Sequence, residues 1–189
     1  MPPHGHRLPH LSGARSMTLS LYDATISSNL QVLRALDALL DKAEGFAAER
    51  GIDPATLIDA KLADDMLPFG YQVKSCVAHS AGGVQGVRDG VFSPDRSAWP
   101  TDFAGLHAAV QGAIATLEAY DPAEFDTLAT AATKFEFGSY VMPFTGANFL
   151  LSFSQPNFYF HASIAYAILR AQGVSLGKRD FLGVPRMAA

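Results

Sequence analysis

The chain has 189 residues, of which 49% are hydrophobic and 17% charged, and its formal net charge at pH 7 is −4. This composition is typical of a single globular domain with one core and excludes a disordered chain. The negative charge and the absence of a Lys/Arg cluster exclude nucleic acid as a main partner. No apolar run approaches the roughly 18 residues of a transmembrane helix, so no membrane partner is expected. The single cysteine, Cys76, excludes an internal disulfide framework and favours a reducing cytoplasm.

The first segment, residues 1–16, differs from the rest of the chain. It contains three prolines and three histidines but no sustained apolar pattern, so we expect a disordered leader. Its histidines are a candidate metal-binding set in a flexible tail. Met17 would then open a single folded domain over residues 17–189.

The first predicted helix follows this segment. Apolar residues at steps of three and four indicate one long amphipathic helix from Leu19 to about Arg50. Gly51 supplies its stop signal. Asp53 and Pro54 then predict the cap and the first position of a short helix.

Two more long helices are predicted in the middle of the chain. The second long helix starts near Met66 and ends before the turn-rich run VFSPDRSAWP. The third spans about Thr101 to Tyr120, with Thr101 or Asp102 as its cap. Both have an apolar stripe on one side, so both should pack against a common core.

A change of period marks the last third of the chain. Over residues 134–144, polar and aromatic residues alternate around Gly138 and Ser139, which predicts a two-stranded hairpin. The fourth long helix is predicted over about residues 145–171. Its expected buried stripe is Phe149, Phe153, Phe160, Ile164 and Ala167. Four long amphipathic helices with this small hairpin predict an all-α four-helix bundle.

The fourth helix also carries the main chemical pattern. Pro156 in its interior removes a backbone hydrogen bond and predicts a bend. Asn157 and His161 follow at a spacing of four residues, which lets two side chains on one helix reach the same metal ion. On the second long helix, His79 lies among small residues that permit close approach of a neighbour. The three polar residues can meet if these two helices pack together.

A simpler interpretation of the same residues is a hydrogen-bonded polar network. A histidine beside an apolar face is more often such a core residue than a ligand, and asparagine is a poor ligand for zinc or nickel. Cys76 stands three residues before His79 and could form an activated thiolate, although buried cysteines usually behave as small hydrophobes. The residues alone leave these alternatives open.

Two runs of the sequence are more specific than generic helices. They are LYDATISSNLQVLRALDALLDKAEGFAAERGIDPATLIDAKLADDM near the start and SFSQPNFYFHASIAYAILRAQGVSLGKRDFLG near the end. Together they resemble a bacterial domain-of-unknown-function family within the DinB/YfiT-like superfamily of metalloenzymes, over about residues 17–184. The resemblance implies a four-helix bundle with up-down-down-up connections and a homodimer.

The resemblance also implies a metal site and a class of function. Better-known members bind a divalent metal with one histidine from the second helix and an H-x-x-x-H pair from the fourth. By position the matching residues are His79, Asn157 and His161, so asparagine replaces the first histidine of the pair. The implied function is a zinc- or nickel-dependent enzyme, of thiol transferase or hydrolase type, with a degenerate metal site and a small-molecule or thiol substrate.

Two other functions are kept open. One is a non-catalytic small-ligand-binding or stress-response module that has lost the metal. The aromatic density around Pro156 predicts its pocket, lined by Phe153, Phe158, Tyr159 and Phe160. The other is a bundle that serves mainly as a dimer scaffold.

Overall fold

The structure of the protein, a computed structural model, describes residues 19–187 and is mostly helical with a small three-stranded sheet. Within these residues, helices α1 to α7 span 23–50, Pro54–Ile58, 69–89, Phe103–Glu118, Glu124–Thr130, 146–171 and Lys178–Leu182. Strands β1 to β3 span Val91–Phe92, Ala132–Phe137 and Tyr140–Thr145. The expected leader over residues 1–16 lies outside the described residues. None of the described helices combines the length and the apolar character needed to cross a membrane.

The residues predicted to cap or end helices do so in the structure. Gly51 ends α1 with a positive φ of 62°, a conformation that favours glycine. The Asp53 side chain accepts a hydrogen bond from the Ala55 N–H at 3.0 Å and caps α2. Asp102 caps α4 by accepting from the Gly105 N–H at 2.7 Å. These predictions are confirmed because capping depends on neighbouring residues alone.

The start of α3 differs from the prediction. The helix begins at Phe69 instead of near Met66, because Pro68 is in an extended conformation with ψ 172° and stands at the N-cap position. Proline has no backbone N–H to donate. This costs nothing at the start of a helix, because the first N–H groups of a helix have no acceptor within it. The short helices α5 and α7 were not predicted either.

The predicted hairpin is confirmed, and a third strand joins it. Strands β2 and β3 pair antiparallel, with Gly138 at φ 60° in the turn between them. Strand β1 pairs parallel to β2, with Val91 opposite Lys134. Two residues are too few to show an alternating pattern, so the sequence could not predict β1. Through this pairing the segment after α3 is held against the hairpin.

Three helices contain π-helical turns, which span Asp23–Ser27 in α1, Ala78–Gly82 in α3 and Phe149–Ser154 in α6. A π turn has more residues per turn than an α-helix and therefore rotates the side chains that follow it. After the π turn of α6, Phe158 is fully buried whereas Phe160 is 56% exposed. The predicted buried stripe through Phe160 is therefore wrong.

The long helices enclose one continuous apolar core. Helix α3 packs against α6 and α4, and α1 packs against α4, α6 and α7. The largest fully buried side chains include Leu33, Leu36, Phe69, Leu106, Phe125, Phe149 and Phe158. The contact between α3 and α6 matters most for function, because it is the condition under which His79 and His161 can meet.

Candidate histidine site

His79 of α3 and His161 of α6 face each other where these two helices cross. Their ring centroids are 5.8 Å apart and their ring planes are inclined by 13°, so the imidazoles are stacked. The His79 ring also packs against Phe92 at 5.3 Å and Phe153 at 6.0 Å. Tyr71 contacts the ring of His161 edge-on at 5.9 Å. The two histidines of the sequence prediction therefore share one largely aromatic environment.

Close packing of the backbone sets the position of His79. Its carbonyl oxygen accepts a hydrogen bond from the Ser154 hydroxyl at 2.8 Å, which joins the π turns of α3 and α6. Opposite Ser154 lies Gly83, where an added Cβ would stand 2.3 Å from the Ser154 oxygen. The Gln155 amide likewise donates to the Ala24 carbonyl at 2.7 Å and ties α6 to the π turn of α1. All three π turns are thus linked at one level of the fold, and such turns are frequent at functional sites.

Gln72 determines which nitrogen of His161 carries the proton. Its amide nitrogen donates to the Leu67 carbonyl at 2.8 Å, and its amide oxygen lies 2.7 Å from Nδ1 of His161. A carbonyl can only accept, so this orientation of Gln72 requires a proton on Nδ1 of His161. The lone pair of the neutral ring is then on Nε2. Gln72 was not among the residues predicted from the sequence, although a polar residue at a buried position of an apolar helix was a usable signal.

Both imidazoles are held in the neutral form. Burial, and to a lesser degree the nearby His161, lower the pKa of His79 from its ordinary 6.5 to about 4. Burial likewise lowers the pKa of His161 to about 4. Among the described residues, Nδ1 of His79 is buried without a hydrogen-bond partner. A buried polar atom without a partner is costly, and it suggests a site where a small ligand belongs.

A small cavity adjoins His79. Its volume of about 30 Å³ is enough for a water molecule or an ion, and its outer wall includes Pro94 and Asp95 of the loop after β1. Lys74 holds this loop in place. The Lys74 ammonium lies 3.2 Å from the Asp95 carboxylate and also donates to the carbonyls of Asp95 and Ser97. A substrate larger than a few atoms would have to displace the loop in order to reach His79.

The third predicted ligand, Asn157, is not joined to the histidines. Its amide nitrogen donates to the Phe153 carbonyl in its own helix at 2.7 Å, and none of its hydrogen bonds within residues 19–187 reaches either imidazole. Only the amide oxygen is left to act as a ligand. In the same part of the chain, no group of three His, Cys, Asp or Glu residues could hold a metal ion. The donor set is therefore two imidazoles and, at most, one neutral amide oxygen.

Two other sequence hypotheses lose support. Cys76 is fully buried, which raises the pKa of its thiol, and its sulfur lies 3.9 Å from the Phe158 carbonyl. A buried thiol of this kind does not form an activated thiolate. The predicted aromatic pocket is not a single cavity either, because Phe158 is in the core while Phe160 points to solvent.

The chain is similar to one known protein family and to a solved structure. A family model described as "Domain of unknown function (DUF1993)" matches residues 21–182. A crystal structure described as a DinB family member protein from Shewanella denitrificans matches with a TM-score of 0.76 and 30% sequence identity, over 89% of this chain and 95% of that chain. No curated protein matches the sequence. The matched residues extend from α1 to α7 and include both histidines.

Proposed function

This chain belongs to the DUF1993 family within the DinB-like superfamily, and from this premise we propose that His79 and His161 form a degenerate divalent-metal centre. The pairing of two neutral imidazoles carries the proposal. One of them has a buried nitrogen without a partner, and Gln72 leaves a lone pair open on the other. Neutral imidazole is the form that binds metal. The site is degenerate because Asn157 stands where the superfamily pattern has the first histidine of its H-x-x-x-H pair.

The donor set fits zinc or nickel as an open site. Imidazole suits both ions, whereas a neutral amide oxygen such as that of Asn157 is a weak ligand. With so few protein ligands, an ion held by His79 and His161 would have open positions for solvent or for a thiol, as catalytic sites have and structural sites do not. A bound ion would supply Lewis acidity and lower the pKa of a coordinated water or thiol.

The surrounding residues have roles that do not depend on which metal binds. Gln72 fixes the orientation and tautomer of His161, and partners of this kind commonly change metal affinity by about 10–100-fold. The rings of Phe92 and Phe153 keep bulk water from His79. Lys74 holds the loop that closes the cavity. These features suit a reaction on a small molecule or a thiol, of thiol transferase or hydrolase type.

The second candidate is a small-ligand-binding or stress-response module that has lost its metal. It is favoured by the missing third donor, since Asn157 bonds to its own helix. In this case the two histidines and Gln72 form a polar network that only supports the packing of α3 against α6. The two candidates differ in whether the folded protein binds zinc or nickel at this pair.

Metal titration of four proteins tests the proposal. The three histidines of residues 1–16 are replaced by glutamine throughout, so that binding there is not counted. We expect the reference protein to bind one ion of zinc or nickel, His161→Ala to weaken binding by at least about tenfold, and Asn157→His to strengthen it by about tenfold or more. His107→Gln, a histidine outside the site, is the matched control and should bind as the reference does. Calorimetry gives the affinity, and cobalt absorption spectra report the ligands directly.

Each other result has a defined meaning. Equal binding by the reference protein and His161→Ala contradicts the metal centre. Binding by Asn157→His alone contradicts it as well and supports the module that has lost the metal. Correct folding of every variant is checked by circular dichroism, because loss of fold would also abolish binding.

Assembly and location are part of the same proposal. We expect up-down-down-up connections, a homodimer and a cytoplasmic location. Exposed apolar side chains support self-association, among them Tyr140 at 59%, Leu151 at 43% and Phe160 at 56% exposure. Light scattering should give twice the chain mass, and Phe160→Ser should lower it. A single-chain mass at all concentrations contradicts the dimer.

A further inference from the structure

A second candidate binding site shares no lining residue with the cavity beside His79. We name it the arginine groove; it is a cleft of about 470 Å³ between α1 on one side and α7 with the segment that follows it on the other. Leu30, Ala35 and Ala38 contribute apolar surface to it. Its charged lining includes three arginines, Arg34, Arg179 and Arg186. Mostly apolar clefts of this size with a few fixed polar groups are typical of small-molecule sites.

The groove is formed by defined contacts. Gln31 of α1 donates to the Leu182 carbonyl at 2.8 Å and holds the end of α7 against α1. Gly183 then turns the chain at φ 62°, and an added Cβ would lie 3.1 Å from the Cβ of Ala35. Further along, the Arg186 guanidinium donates to Ser28 at 3.2 Å. Since the C-terminal segment is attached on both sides of the cleft, the groove is preformed, which lowers the entropic cost of binding.

The charge of the groove is positive, although the whole chain has a net charge of −4. Arg34 is neutralised by Glu118 at 2.6 Å, and Asp180 in the lining is neutralised by Lys42 at 2.6 Å. By contrast, within residues 19–187 no carboxylate forms an ion pair with Arg179 or Arg186. These two guanidinium groups give the groove its excess positive charge. The groove is therefore complementary to an anion.

From these contacts we propose that the arginine groove binds a single-chain fatty carboxylate. The alkyl chain lies along the apolar lining, where Ala38 and Val184 are exposed above the buried Leu30 and Ala35. The carboxylate pairs with Arg179, assisted by Arg186. A guanidinium group matches the geometry of a carboxylate and can bind it through two hydrogen bonds. Arg179 is suited to this because its side chain makes no hydrogen bond to any other described residue.

The composition of the chain argues against its own N-terminal segment as the occupant. Residues 1–16 contain two arginines and no acidic residue, so they have the same charge sign as the groove. The histidine site is independent of this proposal, because the cavity beside His79 and the groove have no lining residue in common. Either site can therefore fail without affecting the other.

The test is calorimetric titration of the full chain with dodecanoate below its micelle concentration. We expect micromolar affinity for dodecanoate and at least about tenfold weaker binding of dodecanol, which has the same chain without the charge. Arg179→Ala should weaken dodecanoate binding by about tenfold or more, and Ala38→Phe should abolish it by filling the groove. Arg170→Ala, an exposed arginine outside the groove, is the matched control and should bind normally. Thermal unfolding verifies that each variant is folded.

The contrary results are also specific. Equal affinity for dodecanol and dodecanoate, or unchanged binding by Arg179→Ala and Ala38→Phe, overturns the proposal. If dodecyl phosphate binds more strongly than dodecanoate, the ligand of the groove is a phosphate and the proposal of a carboxylate is overturned as well. Binding to phosphatidylglycerol vesicles without binding of dodecanoate indicates a membrane surface instead. A dimer that Ala38→Phe dissociates, again without dodecanoate binding, indicates that a second copy covers the groove.

Discussion

His107 lies among carboxylates, whereas the pair of His79 and His161 lies among aromatic rings. His107 of α4 lies between carboxylates of α1, with Nδ1 2.6 Å from Asp37 and Nε2 3.5 Å from Asp41. His79 and His161 instead face each other among aromatic rings, and neither has a carboxylate within ion-pair distance in the described part of the chain. His107 therefore uses both nitrogens to join two helices. The other pair stays neutral and keeps nitrogen lone pairs available, so environment, and not residue type, decides which histidines are suited to chemistry.

Gln72→Glu should remove this difference and have the largest effect. It gives His161 a carboxylate partner like that of His107, and an opposite charge at this distance should raise the pKa of His161 from about 4 to about 6. Nδ1 keeps its proton when Nε2 also takes one up, so the imidazole becomes a cation below about pH 6. NMR titration of the histidine ring protons measures the change. Gln85→Glu, an exposed position on the same helix, is the control, and equal titration of His161 in both variants would contradict the assigned contact.

The stability of the protein should decrease as the pH falls from 7 to 5. In the unfolded chain the two histidines take up protons near pH 6.5, whereas in the folded protein they do so only near pH 4. The unfolded state therefore binds more protons between these values and is favoured there, whereas above about pH 7 the pair has no effect. Allowing for partial exposure of both rings, we expect a loss of about 2 kcal/mol.

Urea unfolding at several pH values measures this loss. In His161→Gln the pH-dependent loss should be about half as large, because one of the two buried imidazoles is gone. Equal stability of the unmodified protein at pH 7 and pH 5 would show that the pair is accessible to protons and is not held neutral.

Gly83→Ala should disturb the helix crossing that supports His79. The added methyl group requires the Ser154 hydroxyl to leave the His79 carbonyl, and overpacking of this kind costs about 1–2 kcal/mol. Gly45→Ala on α1 is the matched control, since an added Cβ there has no atom within 4 Å. It should stabilise the helix by about 0.5–1 kcal/mol. Thermal or denaturant unfolding separates the two, and equal effects would argue against close packing at Gly83.

Asp37→Asn should have the smallest effect. It replaces the charged partner of His107 with a neutral one of similar shape, and the pair is partly exposed to solvent. We expect a loss of about 0.5–1 kcal/mol that becomes smaller at high salt. Unfolding at low and high ionic strength measures it. A loss that does not depend on salt would mean that packing, and not charge, makes this contact important.

Local features of the fold were predictable from the sequence, and features that depend on distant contacts were not. The ends of α1, α2 and α4 follow from Gly51, Asp53 and Asp102, which act on their immediate neighbours. The buried stripe of α6 was predicted wrongly after Phe153, because a uniform period of 3.6 does not allow for a π turn. That turn lies where Ser154 contacts α3 and Gln155 contacts α1, which are contacts between distant parts of the chain.

The features of the candidate site likewise separate into those predictable from the sequence and those that depend on distant contacts. The sequence by itself determined the long helices, the hairpin, the family resemblance and the identity of His79 and His161 as candidates, because hydrophobic periodicity, capping and motifs are short-range properties. Only the tertiary structure decided that the two imidazoles stack and that Gln72 orients one of them. It also decided that Asn157 bonds to its own helix and that arginines from both ends of the chain line one groove. These are relations between helices distant in sequence, and they depend on how the chain closes on itself around its core.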